Sequence, residues 1–353
     1  MINNSEVDKP DVCIAIPTHL TGEVIYYVLS SIAQVNYPKD RLKIYVIIWD
    51  KDLDTLNYTN KAKNEFNLNL DIHFIESPNV NLKRNLGIKL CSNFKYILLL
   101  DDDIIIHPET INAALKHFAN DSKVKAVGFP VVSDCSNMAE RLNHCRYVNT
   151  VVEHSATMPI TVFSSDVFER VGLFREDMGP PLTIHEDWEM GSRIRKYGYK
   201  VILDGRYPGK DLGSQTLRKR MSAKLNNTMN RKEGIAKHLI SYAKSYVHKG
   251  WWSMYQVFKS SPLDQLLEYA FYFINPLLFI ALLIINWMLG LSYLGVIIVG
   301  ILINTFIKRY YSIFPVKERI IYSLLIIAIR TFRMYLFLIA LLINAFKGSL
   351  SKA

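Results

Sequence analysis

The sequence predicts an α/β fold, a mixed and mainly parallel sheet flanked by helices, followed by an α-helical membrane region. Three observations predict it. Short aliphatic and β-branched runs alternate with segments of helical periodicity from Val12 to Leu203, the pattern of a largely parallel sheet covered on both faces. One of those runs, Tyr96-Ile97-Leu98-Leu99-Leu100, stops abruptly at Asp101-Asp102-Asp103, and open α/β sheets place ligands at the carboxyl ends of strands. From about residue 265 the chain is mostly hydrocarbon, in stretches long enough to cross a bilayer.

The elements follow in order. Residues 12–16 are an apolar strand stopped by Pro17-Thr18. Residues 22–35 space Val24, Tyr27, Val28 and Ile32 as one helix face, and Tyr37-Pro38 ends it. A strand at 44–49 runs into Asp50, and a helix is expected at 54–66. A strand at 72–75, a helix at 81–91, the strand at 96–100 and a helix at 111–118 continue the alternation. A further strand is expected at 124–132. Residues 141–167 show no clean period and are set aside as an acceptor-side insertion. A helix at 188–196 is closed by Gly198, and 200–203 is the last strand.

The expected organisation is a cytosolic α/β domain over 1–225, basic and aromatic juxtamembrane helices over 226–262, and transmembrane helices over 263–353. Apolar spans are expected at about 266–289, 291–307 and 320–346, with Gly290 as the link between the first two. Lys308-Arg309 and Lys317-Glu318-Arg319 bracket a loop that the positive-inside rule puts in the cytoplasm. Residues 251–259 carry aromatics and a lysine suited to a headgroup layer, or to a packed helix. Arg330 and Arg333 interrupt the third span on one face. They meet a lipid-carrier phosphate or snorkel to the interface.

The net charge is +10, and basic residues crowd between Lys196 and Lys259. That suits an anionic membrane surface or phosphate-bearing substrates. No zinc-finger, RNA-recognition or basic-zipper signature is present, so no nucleic-acid partner is expected. The four cysteines show no CxxC spacing. Cys13 and Cys91 read as inert core thiols, Cys135 and Cys145 are spaced so that they could pair, and a reducing, cytosol-facing compartment is the default. Residues 1–10 lack the apolar core of a signal peptide.

Three adjacent carboxylates repel by roughly 3–4 kcal/mol per pair at an effective dielectric near 20. Two readings compete. A hard divalent ion, Mg²⁺ or Mn²⁺, binds one or two of them together with substrate phosphates. Otherwise the run is an acidic turn whose side chains cap backbone groups.

Taken in order, the motifs resemble the family 2 glycosyltransferases of the GT-A (Rossmann-like) type. They resemble in particular its membrane-anchored branch of cellulose synthase-like and polyprenyl-phosphate sugar transferases. The likeness runs from Val12 to Leu203 and more weakly to Arg220. It implies that Pro17, Thr18 and Asp50 face the nucleotide. It implies that Arg84, in Lys83-Arg84-Asn85-Leu86-Gly87, stands near the donor with Asp101 and Asp102. Asp103, with Asp101, would hold the Mg²⁺ or Mn²⁺. In His185-Glu186-Asp187-Trp188, Asp187 would be the general base, with Glu186 beside it. Gln215 and Arg218 would reach acceptor or diphosphate.

Two departures are plain: Trp49 stands where an Asp is more usual, and Lys219 where processive synthases carry Trp. The resemblance implies an inverting transfer of mannose or glucose from GDP-mannose or UDP-glucose to a lipid-linked acceptor. That acceptor would be polyprenyl or dolichyl phosphate, or a lipid-linked glycan. A processive polysaccharide synthase, a membrane nucleotidyltransferase and a non-catalytic sugar-binding scaffold are the alternatives.

Overall fold

The structure is a computed structural model and describes residues 9–132, 145–157, 159–178, 185–212, 251–307 and 316–346. Strand β1 (Val12–Pro17) is buried along its whole length. It pairs in parallel with β2 (Leu42–Trp49) on one side and with β4 (Tyr96–Leu100) on the other. β3 (Leu70–Ile75) extends the sheet beyond β2. β6 (Val124–Phe129), β8 (Val151–Glu153), β9 (Ile160–Ser164) and β10 (Lys200–Asp204) complete the order β3-β2-β1-β4-β9-β6-β10-β8. Only β8 and β9 run antiparallel to their neighbours. The mixed, mainly parallel sheet expected from the sequence is therefore what the chain forms.

Alternation of side chains along β1 divides the core into two layers. Val12, Ile14 and Ile16 join Ile44, Val46, Leu98 and Leu100 on one face. Helices α1 (Val24–Ala33), α2 (Leu53–Phe66) and α4 (Thr110–Asn120) cover that face through Ile25, Leu29, Ala62, Ile111 and Ala114. Cys13 and Ala15 join Ile97, Leu99 and Phe163 on the other. Helices α3 (Val80–Leu90), α5 (Asp166–Val171) and α6 (Glu186–Lys196) cover it through Ile88, Phe168, Met190 and Ile194. The chain builds β1, β2 and β3 outward in one direction and then crosses to β4 on the far side of β1. The crevice beyond the carboxyl ends of β1 and β4 is thus a topological switch point, the place such sheets bind ligands.

Several expectations are corrected. Residues 160–164 are not part of an insertion but a fully buried strand between β4 and β6. Because both its faces are covered, Ile160-Thr161-Val162-Phe163 shows no polar alternation to read. The strand expected at 124–132 breaks at Pro130. β7 (Val131–Val132) then joins β5 (Ile104–Ile105) and β11 (Gly209–Asp211) in a separate small sheet. Pro130 has no N–H to continue the ladder. Cys13 and Cys91 form a disulfide, their Cα atoms 5.7 Å apart, so they are not free thiols. The cysteines then carry no argument for a reducing compartment.

The chain divides into two compact units, 1–224 and 225–353. In the second, the described helices are α7 (Trp251–Ser260), α8 (Leu263–Ile285), α9 (Trp287–Ile307) and α10 (Val316–Phe346). Among the described residues, Leu263–Ile285 is the one helix long and apolar enough to cross a membrane by length and composition. The break between α8 and α9 falls at Asn286, not Gly290. The Asn286 side chain accepts from Met288 N at 2.8 Å and starts the next helix. Gly290 lies inside α9, where a Cβ would come within 2.9 Å of the Leu283 Cα, so the two helices cross closely there. Helix α7 is packed within its own unit: Phe258 lies 4.7 Å from Tyr269 and 5.1 Å from Phe337, ring to ring.

Phe163 is fully buried between the β4 and β6 pairings. Phe163→Ala should lower stability by about 3–5 kcal/mol, the usual cost of emptying such a site. The midpoint of urea unfolding checks this.

Candidate active site

The turn after β1 is held by charged side chains from three other segments. Thr18 caps the strand, its N donating to Ile47 O at 2.9 Å and its Oγ1 at 3.2 Å. Asp102 accepts from His19 N at 2.8 Å and from the Thr21 hydroxyl. Asp52 accepts from Leu20 N at 2.7 Å, and Gly22 N donates to Thr55 Oγ1 at 2.9 Å. Lys83 Nζ donates to Thr18 O at 2.6 Å. The turn needs this support because Leu20, a non-glycine residue, sits at φ 52°. Pro17 and Thr18 stand at the carboxyl end of β1, beside the switch point. Asp50 follows β2 and is exposed; Asp52, two residues on, is buried. Its role was missed because Asp52 also caps α2, accepting from Thr55 N, and helix caps are common.

The end of β4 meets the start of α6 through one guanidinium. Arg84 reaches Asp101 Oδ1 at 3.0 Å and Glu186 Oε1 at 2.9 Å. It also lies over the Phe174 ring, 5.6 Å from the centroid. Burial opposes its charge, but Asp101 and Glu186 outweigh that and its pKa is raised. Gly87, one turn along α3, lets the helix sit on β1: a Cβ there would stand 2.6 Å from Ala15 Cβ.

Asp187 occupies the first turn of α6, next to Glu186. Its Oδ1 accepts from Trp188 N at 2.9 Å, and its carbonyl accepts from Thr157 N at 3.1 Å. Burial, then the Glu186 charge, push its carboxyl up to about 7, with Arg84 working the other way. Gly191 brings α6 against the loop holding Thr157, since a Cβ would meet the Ala156 Cα at 2.7 Å. Asp101, Arg84, Glu186 and Asp187 line one cavity of about 80 Å³, closed by Leu99, Phe163 and Phe174. The structure thus brings the β4 acid and the α6 acid together.

Asp102, from the same strand end, turns to the β1 turn, and Asp103 is buried near Asp211. Burial raises Asp102 to about 6, against its hydrogen bonds from Thr21 and His19. Burial raises Asp103 to about 7, helped by Asp102, Asp101 and Asp211. Asp211 arrives on β11, where Leu212 N donates to Asp103 O at 2.9 Å. Asp103 is not among the described residues lining the 80 Å³ cavity. Gln215 and Arg218 lie outside the described residues.

A mixed, mostly parallel sheet with flanking helices is a GT-A-like arrangement. The model of a family described as glycosyltransferase-like family 2 matches residues 10–232, and the chain belongs to that family. No curated protein sequence matches it. Among solved structures it is similar to the mannosyltransferase PcManGT from Pyrobaculum calidifontis in complex with GDP-Man and Mn²⁺. That match has 16% identity and a TM-score of 0.48, over 90% of this chain and 87% of that one. It is also similar to S. aureus TarS 1–349 in complex with UDP, at 16% identity and a TM-score of 0.42, over 57% of this chain. The chain spans 60% of the length of that TarS structure.

Arg84→Met should leave Asp101 and Glu186 facing each other without a cation. The expected loss is at the lower end of about 3–5 kcal/mol, because Asp101 keeps some access to water. Adding Glu186→Gln should recover part of it. Thermal unfolding of the two variants checks this.

Proposed function

We propose that the chain is a membrane-bound inverting glycosyltransferase. It moves a hexose, mannose or glucose, from GDP-mannose or UDP-glucose to a lipid-linked acceptor at the cytoplasmic face of a plasma membrane or equivalent. The observation that carries the reading is the shared cavity in which Asp187, raised to about 7, faces the acid end of β4. Family membership supports transfer chemistry. The length and composition of Leu263–Ile285 support the membrane.

In this mechanism the donor lies in the switch-point crevice, its nucleoside against the turn after β1. Ionised Asp187 removes the proton from an acceptor hydroxyl as that oxygen attacks the anomeric carbon. The bond from that carbon to the diphosphate breaks, and the configuration inverts. A phosphate monoester oxygen would need no base, so the raised Asp187 favours the lipid-linked glycan among the acceptors considered.

Among the described residues no three His, Cys, Asp or Glu side chains form a cage for an ion. A hard divalent ion does not require one, since it takes one or two carboxylates and completes its shell with phosphates and water. Asp103, buried beside like charges, fits as the main protein ligand. Asp101 keeps one oxygen beyond the one that Arg84 holds. When bound there, Mg²⁺ or Mn²⁺ would supply Lewis-acid stabilisation of the departing diphosphate.

Labelled nucleotide sugars offered with native lipid extract should yield one lipid-soluble product carrying a single sugar. A polymer, or no transfer with any donor, refutes the reading. Excess EDTA should abolish transfer, and added Mn²⁺ should restore it.

The competent form of Asp187 is the ionised one, and its raised value depletes that form at acid pH. The value of kcat/KM, which reports groups of the free enzyme, should therefore fall as pH drops through about 7 and be flat above it. The same shift makes the folded chain hold this proton more tightly than the unfolded chain. Its contribution to stability is present at acid pH and lost as pH rises through about 7. Asp187→Asn should cost about 10²–10⁴ in rate and remove that acid limb from the stability profile.

A further inference from the structure

Lys83 and Arg84 are neighbours on α3 that serve different places. Arg84 turns to Asp101 and Glu186. Lys83 is 1% exposed, among the most enclosed large side chains of the chain, and lysine is rarely buried so completely without a partner. Its ammonium donates to Thr18 O at 2.6 Å, the carbonyl that opens the turn after β1. The neighbouring charges are Asp102 and Asp52, both of which favour the ammonium against its own desolvation. These two carboxylates hold the next backbone groups of the same turn, His19 N at 2.8 Å and Leu20 N at 2.7 Å.

We propose that Lys83 is a positioning residue for the donor, fixing the turn at residues 18–22 in the conformation that receives the nucleoside diphosphate without touching it. The proposal rests on the nucleotide-sugar reading above. Three consecutive backbone groups, Thr18 O, His19 N and Leu20 N, are each held by a charged side chain from a different segment. Two of those side chains are acidic and the third is Lys83. Without its charge, two enclosed carboxylates would face one another across the turn, and the Thr18 carbonyl would lose its donor. Leu20, at φ 52°, is the residue most ready to relax when that grip loosens. A turn that must be re-formed at each binding event weakens affinity, because ordering it is then part of the cost of binding.

The test uses the full chain in detergent with Mn²⁺, titrated calorimetrically with GDP and UDP, beside steady-state transfer kinetics. Wild type should bind one of the two. Lys83→Met should bind that nucleotide at least about tenfold more weakly, with the rate at saturating donor within about threefold of wild type. Lys83→Arg, which keeps the charge and a donor for Thr18 O, should return affinity to within about threefold. A purely structural lysine would lower the unfolding temperature while leaving affinity measured well below it unchanged.

Folded K83M that binds within about twofold of wild type, or that loses rate with donor affinity intact, overturns the role of Lys83 alone. If K83M does not fold, the milder Lys83→Gln is read in its place with the same two outcomes. Wild-type protein that binds neither nucleotide overturns this role together with the donor reading.

Discussion

The double ion pair of Arg84 is the constraint on which the site depends. Asp101 ends a strand that belongs to the sheet, and Glu186 begins a helix that belongs to the layer above it. Nothing local to either segment requires them to meet. Three carboxylates, Asp101, Glu186 and Asp187, line a cavity of about 80 Å³, and unit charges at such separations repel by several kcal/mol when water is largely excluded. One buried guanidinium, with its fork of donors, satisfies two of them at 2.9 and 3.0 Å. The third, Asp187, has no ion pair among the described residues, and burial, with the Glu186 charge beside it, raises its pKa. On the proposed mechanism the base is the carboxylate that the cation leaves aside, since Arg84 goes to its neighbours.

The position of Arg84 is in turn fixed by how α3 is fastened. Gly87 lets the helix backbone approach β1 to within contact of Ala15. The Cys13–Cys91 disulfide ties the end of the same helix to the same strand, removing freedom from the unfolded chain as well. Asn85, one residue after Arg84, donates to Phe174 O at 2.8 Å and accepts from Phe174 N at 2.9 Å. Consecutive residues on a helix diverge by roughly 100°. Lys83 and Arg84 therefore reach two separate loops from one rigid base. A single helix sets both the turn after β1 and the acid pair of α6.

Much of this was legible in the residues, and the parts that were not share a cause. Strands 12–16 and 96–100 stood out because an apolar run met an abrupt polar end. Glu186-Asp187 stood out because an acidic pair opened a helical pattern. β9 was missed because burial on both faces removes the alternation that marks a strand, leaving five apolar and hydroxyl residues inside a segment with no period. Lys83 was missed because sequence patterning assigns lysine to solvent, and only the convergence of Asp52 and Asp102 from distant segments makes its burial tolerable. Asp50 stood out because it ends the strand directly. The double use of Asp52, two residues on, as helix cap and turn anchor shows only in the fold. The partner of Arg84 could not be read either, because ion pairs 17 and 102 residues apart are set by topology.

The helical unit repeats the same logic in apolar surroundings. An arginine in the middle of a hydrocarbon-rich helix costs about 2.5–3.5 kcal/mol on insertion scales unless the protein supplies a partner. Sequence alone left Arg330 to a lipid phosphate or to the interface. In the structure it pairs with Glu268, 62 residues earlier on α8, and donates to Tyr272 OH at 2.9 Å. Glu268 carries a like liability, in a helix that otherwise meets the length and composition needed to cross a membrane. Each charge makes the other tolerable, and the pair fixes the rotation of α10 against α8. Arg330 thus has an acidic partner on a neighbouring helix, although both side chains keep access to the surface, 40% and 48% exposed. The side chain of Arg333 lies outside the described residues.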